Sequence, residues 1–312
     1  MTASHSTAVP TGADTVLLGL DIGGTKIAGL VTDGTGQILA RDSVVAPVRE
    51  GGQAMAAAAT ALAVGLAGNA RILSAGVGAA GVIDHGAGTI RAASATFVDW
   101  VGFPLAAELS ERLGAPVTIE NDVNAFLLGE AADIAGDALG IMLGTGVGGA
   151  LIIDGDLRRG PHGAAGEIGH TAGYSDLVCT CGQVGHLETL SSGTSIALRY
   201  AERSGRSASG AREVADRARA GDEHAIAAFH TAGHALGLAC ARVATLLDLP
   251  VAIVGGGVAH AWDLLQPGID AALEANAPVS GIPLEIRPGR LGSDAVALGA
   301  IESARRAVPV VA

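Results

Sequence analysis

Apolar runs broken by glycine turns divide this chain into two similar stretches. Ile22 to Gly34 reads IGGTKIAGLVTDG, and Leu143 to Gly155 reads LGTGVGGALIIDG. Each leaves a β-like apolar run, turns on glycines, resumes as an apolar run and turns again on Asp-Gly, which is the pattern of a hairpin. Behind the first hairpin the pattern predicts a third strand over 38–45, a helix over 53–66 and a strand over 72–82. A helix over 104–113, a strand over 117–120 and a helix over 122–132 follow. The order β-β-β-α-β-α-β-α begins again after residue 137. An α/β chain of two related lobes is expected, each a mixed sheet with helices on its faces.

Composition narrows this picture. The chain has 312 residues, enough for two lobes with cores of their own, and 49% of them are hydrophobic. Aromatic residues make up only 3%, and glycine and alanine fill the space. The net charge of −12 argues against a nucleic-acid partner. Residues 1–14 are small and polar and read as a disordered tail, with neither the basic nor the apolar region of a signal peptide. The Ala-rich run 54–67 is too short to span a bilayer, so no membrane association is expected. Three cysteines give no disulfide framework and fit a reducing cytoplasm; Cys240, in an apolar helical stretch over 234–249, reads as a small core residue.

The glycine turns carry the first candidate chemistry. Backbone N–H groups around Gly23, Gly24 and Thr25, and around Gly144, Thr145 and Gly146, can point at an anion with no side chain in the way. A third cluster, Gly255, Gly256 and Gly257, follows the apolar strand 251–254 and precedes a helical pattern over 258–265. Such a strand–glycine–helix junction lets a nucleotide approach the backbone. Any one cluster alone reads as a plain turn. Gly144-x-Gly146-x-x-Gly149 also has dinucleotide-fingerprint spacing, but a strand and not a helix follows it, and the chain has no P-loop. Lys26 beside the first turn either faces phosphate or is a solvated turn residue.

The second candidate chemistry lies between Glu167 and Glu188. His170, Cys179, Cys181 and His186 form a set of two imidazoles and two thiolates that suits tetrahedral zinc. Four protein ligands leave no place for a catalytic water, so the Zn²⁺ would be structural. Folding the loop around it would gather Glu167, His170 and Glu188 into a pocket of acceptors suited to a hydroxyl-rich ligand.

With these pieces in place, the chain resembles the ROK family (repressor, open reading frame, kinase) of the actin-like ATPase superfamily. The likeness runs over about residues 16–305, nearly the whole chain. Asp21-Ile-Gly-Gly-Thr-Lys26 and Leu143-Gly-Thr-Gly-Val-Gly-Gly149 are similar to its two phosphate motifs. Glu120-Asn121-Asp122 is similar to its catalytic motif, and Gly255-Gly-Gly-Val258 to its adenosine motif. Gly166-Glu-Ile-Gly-His170 with the C-x-C-G-x-x-G segment is its own signature.

The resemblance implies the two-lobed actin-like ATPase (ribonuclease H-like) fold, with a small lobe over 15–120 and a larger one over 121–293. A C-terminal helix of about 294–307 would pack back on the first lobe. It implies an ATP-dependent hexose kinase acting most readily on C6 of glucose, as a homodimer or homotetramer. Asn121, Asp122, Glu167, His170 and Glu188 would hold sugar hydroxyls, Asp122 would accept the proton of the attacking one, and Asp21 would hold Mg²⁺. Asp122 also reads as a helix N-cap. One ring nitrogen of His170 would bind zinc and the other would face the sugar.

The sequence departs from the family in three places. His186 stands where a zinc cysteine is usual. Thr96 and Phe97 precede Trp100 where glucokinases read Asn-Leu-x-Gly-Trp. The Gly78-to-Gly81 loop lacks its usual proline. Thr96 leaves N-acetylmannosamine or N-acetylglucosamine as alternative substrates. A sugar-sensing repressor of the family would carry a helix-turn-helix ahead of the first motif, and the roughly fifteen residues there are too few for one.

Overall fold

A computed structural model describes residues 14–132, 134 and 136–307. The tail expected over 1–14 lies, but for Asp14, outside the described residues. The chain forms two compact units. The first comprises 14–132, 160–164 and 293–307; the second comprises the described residues of 134–159 and 165–292.

The first unit opens with the hairpin read from the sequence. Strands β1 (Thr15–Ile22) and β2 (Lys26–Thr32) are antiparallel, and β3 (Ile38–Val45) adds to β2. Helix α1 (Gly52–Ala67) leads to β4 (Arg71–Ala79), and a short hairpin of β5 (Val82–Asp84) and β6 (Thr89–Ala92) to α2 (Leu105–Leu113). Then come β7 (Val117–Asn121) and α3 (Asp122–Glu130). The sheet order is β3-β2-β1-β4-β7, with β1, β4 and β7 parallel. Buried on both faces, the parallel centre is nearly continuous in apolar and small residues.

The single strand expected over 72–82 is two strands. It breaks at Gly81, whose φ of 112° turns the chain and leaves its carbonyl for Asn121.

The second unit repeats the plan. Strands β8 (Ala138–Leu143), β9 (Val147–Ile153) and β10 (Asp156–Leu157) form the hairpin and its extension. Helices α4 (Glu188–Ser191), α5 (Gly193–Ser204), α6 (Ala211–Arg219) and α7 (Glu223–Leu247) precede β11 (Val251–Gly255). Helix α8 (Trp262–Ala275) and β12 (Glu285–Pro288) complete it. The sheet order β10-β9-β8-β11-β12 matches the first sheet position for position, again with the last three strands parallel. The core joins Ile141, Leu143 and Val254 of the sheet to Phe229, Leu236, Leu265 and Ile269 of α7 and α8.

Three boundaries differ from those read in the sequence. The helix expected over 258–265 begins as a 3-10 turn (Gly257–Ala261) and continues as α8 to Ala275. The stretch over 234–249 is the second half of α7, which starts eleven residues earlier where Asp222 caps it by accepting from the His224 N–H at 3.1 Å. Residues 121–132, assigned to the second lobe from the sequence, belong to the first unit because α3 packs on α9 (Ala295–Ala307). Helix α9 lies on β1, β4 and β7 and approaches so closely that a Cβ at Gly76 would collide with the Ala300 carbonyl. Among the described residues no helix is long and apolar enough to cross a membrane.

Candidate active site

In the first unit the candidate residues gather at the C-terminal ends of parallel strands. Asp21 stands beside Gly78, and Gly78 beside Glu120, so Asp21 and Asp122 lie at the same end of the sheet. Gly23, Gly24 and Thr25 make the β1–β2 turn, closed by Gly23 N–H on the Lys26 carbonyl at 3.1 Å, and Lys26 opens β2 on the exposed side. Burial pushes the Asp21 carboxyl up to about 7; the charge of Asp122 adds to this and Lys26 opposes it. Two acids that repel one another form a fitting place for a divalent cation with oxygen ligands.

Asn121, expected at the sugar, is held by the chain itself in the ligand-free protein. Its Oδ1 accepts from the N–H groups of Val123 (2.9 Å) and Asn124 (3.2 Å), so it is the N-cap of α3. Its Nδ2 donates to the Gly81 carbonyl (3.0 Å) and to Asp122 Oδ1 (2.9 Å). Both lone pairs and both amide hydrogens are thus engaged. Asp122 is the first residue of α3 and not its cap, and Asn121 orients its carboxylate.

In the second unit the β8–β9 turn holds Gly144, Thr145 and Gly146. The N-terminus of α5 pins it, through Gly193 N–H on the Gly144 carbonyl (2.8 Å) and Thr194 Oγ1 on the Thr145 carbonyl (3.0 Å). Because β11 runs parallel beside β8, Gly255 lies opposite Met142, and Gly256 and Gly257 follow next to the hairpin. A cavity of about 1060 Å³ has Gly144, Thr145, Gly257 and Val258 in its lining, so the second phosphate turn and the third glycine cluster share one space.

The metal-ligand candidates converge. One ligand atom from each of His170, Cys179, Cys181 and His186 lies within 4.8 Å of the others. His170 Nδ1 and His186 Nδ1 are 3.3 Å apart, Cys181 Sγ is 3.4 Å from His186 Nδ1, and Cys179 Sγ is 4.0 Å from His170 Nδ1. Zinc with bonds of about 2.3 Å to sulfur and 2.0–2.1 Å to nitrogen gives tetrahedral edges of roughly 3.3–3.8 Å, so the quartet fits that ion. His186 Nε2 meets Gln183 Oε1 at 3.2 Å, which selects the tautomer whose Nδ1 lone pair faces the thiols. Without an ion, burial raises the Cys179 thiol above its ordinary value.

Around this quartet stand the two expected acids. Glu167 precedes a 3-10 turn (Ile168–His170) and is exposed. Its carboxyl is nevertheless raised, chiefly by partial desolvation, with His170 opposing and Glu188 adding. Glu188 accepts at Oε2 from the Val147 N–H (2.9 Å) and at Oε1 from the Thr180 hydroxyl (3.1 Å).

The ROK family's sequence profile matches residues 17–307. The chain belongs to the ROK family. This ROK chain is 33% identical over 315 residues to a glucokinase of Halalkalibacterium halodurans, spanning 92% of this chain and 94% of that one. It is 33% identical over 245 residues to an N-acetylmannosamine kinase of Shigella boydii, spanning 77% and 82%. Its fold superposes on a ROK glucokinase from Streptomyces griseus, solved with glucose and AMPPNP, at a TM-score of 0.81. That pair is 32% identical, over 93% of this chain and 99% of the other.

Several neighbours of these residues take their places only in the fold. Phe97 would be 3.4 Å from a Cβ at Gly24, and it stacks on Trp100, whose Nε1 donates to the Ala80 carbonyl at 3.1 Å. Glu120, directly before Asn121, is buried against Ser303 Oγ of α9 (3.2 Å) and His85 Nε2 (3.7 Å). Only the adjacency of Glu120 to Asn121 could have hinted at that contact.

Proposed function

We propose that this ROK chain transfers the γ-phosphoryl group of ATP to the C6 hydroxyl of glucose. It is a sugar kinase of its family, homologous to glucokinases and related kinases. The observation that carries the kinase reading is Glu188, and the choice of glucose rests on the likeness to glucokinases. This one carboxylate joins the metal loop to the second phosphate hairpin, so the residues suited to a sugar and those suited to a polyphosphate form one device.

The backbone of Gly23, Gly24, Thr25 and Lys26 and that of Gly144, Thr145 and Gly146 receive the phosphates, and Gly255, Gly256 and Gly257 border the adenosine. Glu167, His170 through Nε2, and Glu188 take sugar hydroxyls. The sugar oxygen bonds to the γ-phosphorus, the bond from that phosphorus to the bridging oxygen of ADP breaks, and the hydroxyl proton passes to Asp122 Oδ. Asp122 lies at a helix N-terminus that weakens it as a base, which suits a loose transition state where the proton leaves late. Asp21 would hold Mg²⁺, and the ion when bound neutralises charge on the β- and γ-phosphates. Zinc in the quartet has a structural role: it fixes the loop that carries Glu167 and Glu188. The enzyme would work in a reducing cytoplasm, where the thiols stay free for the ion, as a homodimer or homotetramer.

Thr96, where family glucokinases carry asparagine, favours a second reading with an N-acetylhexosamine as substrate. A coupled ADP-release assay with ATP–Mg²⁺ and glucose, N-acetylmannosamine or N-acetylglucosamine tests both. The highest kcat/KM is expected on glucose. A preference for either N-acetylhexosamine would transfer the assignment to that sugar, and no ADP release with any sugar would remove kinase activity.

A further inference from the structure

The cavity that opens on the second phosphate hairpin has a wall with no assigned role. Helix α5 contributes Ala197 and Ala201, the following loop contributes Ser207, Ala208 and Ser209, and α6 closes the wall with Ala215. A glycine-flanked loop of this kind, between Gly205 and Gly210, has no regular hydrogen bonding of its own to hold it. Something else must fix it if it is to shape a binding site.

That fixture is a tyrosine behind the wall. Tyr200 of α5 is fully buried. Its hydroxyl donates to Asp222 Oδ2 (2.9 Å) and accepts from Arg217 Nη1 (2.9 Å). Arg217 Nη1 also donates to the Ser207 carbonyl (3.0 Å), so the same guanidinium holds tyrosine and loop together. The Arg206 guanidinium pairs with Asp222 and lies 5.5 Å from the Tyr200 ring centroid, and that of Arg217 lies at 5.1 Å. Ser209 is tied down separately, its N–H and hydroxyl both donating to Glu213 Oε2 at 2.8 Å, and Glu213 pairs in turn with Arg217. Asp222 also caps α7, which anchors the network to the unit's longest helix.

We propose that Tyr200, with Arg206, Arg217 and Asp222, is the positioning device of the nucleotide site: it holds the 206–210 loop in the form that packs against bound ATP. The inference rests on the reading above that ATP occupies this cavity. None of the four residues needs to touch the nucleotide. Their effect is to remove the ordering of the loop from the cost of binding, because the wall is set before the ligand arrives. A buried hydroxyl is costly unless paired, and that of Tyr200 has both a donor and an acceptor.

The test uses the whole enzyme and two variants. Tyr200→Phe keeps the ring and removes the hydroxyl. Arg206→Ala removes a largely exposed side chain (58%) and so spares the core. AMPPNP binding is measured by calorimetry, and KM values for ATP and for the best sugar come from ADP release. In Tyr200→Phe the Kd for AMPPNP and the KM for ATP should rise about tenfold, the loss of roughly one charge-assisted hydrogen bond, and in Arg206→Ala a few-fold. The KM for sugar should stay within about twofold in both, since that substrate does not meet this wall. Equal AMPPNP affinity in wild type and both variants would overturn the inference, as would a parallel rise in both KM values, the mark of a merely structural role. Wild-type protein that bound no AMPPNP would overturn the reading beneath it as well.

Discussion

The carboxylate of Glu188 accepts a hydrogen bond of 2.9 Å from the backbone N–H of Val147, the first residue after the second glycine turn. A Cβ built on Gly146 would lie 2.5 Å from that same carboxylate, so the glycine exists to let Glu188 in. Gly146→Ala should therefore fold, because the clashing atom is the end of a movable side chain, yet Glu188 must leave Val147. The KM for sugar should rise at least tenfold, roughly the loss of one charged hydrogen bond, while the melting temperature stays near that of wild type. A variant with unchanged kinetics would show that the Glu188–Val147 contact is incidental.

Asp21 makes the ligand-free protein sensitive to pH in a definite direction. Its carboxyl is raised from 3.8 to about 7 by burial and by Asp122, so in that window the folded chain holds a proton that the unfolded chain has lost. Stability contributed by the protonated form is complete below 3.8, falls as pH rises toward about 7, and is gone above it. Asp21→Asn carries no such proton. Without added Mg²⁺ its melting temperature should gain on wild type across that interval and hold a constant lead beyond it. Parallel melting curves at every pH would refute the burial argument. The variant should also lose most activity with ATP–Mg²⁺.

Replacing Asp122 by asparagine keeps the shape of the side chain and removes its capacity to take a proton. Turnover should drop by about 10²–10⁴, the usual range for loss of a general base, with sugar affinity by calorimetry nearly intact. Activity within a few-fold of wild type would dismiss Asp122 as the base. Asn121→Ala offers a contrast: it removes the α3 cap at a cost of about 1 kcal/mol and frees the Asp122 carboxylate, so stability and turnover should fall together.

What the sequence made legible was local. Glycine turns, Asp-Gly turns and a C-x-C pair between two histidines each declare themselves within a few residues, which is why both hairpins and the metal quartet could be read directly. The two related lobes followed from the repeated hairpin. The hold of Gly81 on Asn121 was not legible, because Gly81 lies forty residues away and presents its carbonyl at a strand break. The Tyr200 network was hidden for the same reason: Arg206, Arg217 and Asp222 look like ordinary surface charges until three helices bring them to one buried hydroxyl. The start of α7 was obscured by its polar first turn, and the place of α3 by the glycines through which it meets α9.

The metal site yields the most exacting prediction. Purified protein should contain about one zinc per chain, since the quartet gathers four ligand atoms within 4.8 Å of one another. Cys181→Ser should lose the ion and with it most sugar affinity, because the loop between Cys179 and His186 also presents Thr180 to Glu188. Gln183→Leu is the finer probe. It leaves all four ligands in place and removes only the acceptor that selects the His186 tautomer. Zinc affinity, measured by competition with a chelator at fixed pH, should fall by about 10–100-fold, as it does when an outer partner of a metal-bound histidine is removed. At saturating zinc the sugar affinity of this variant should return to that of wild type, because the ion and not the glutamine shapes the loop. Wild-type protein that is free of metal yet fully active would remove the quartet from the account altogether.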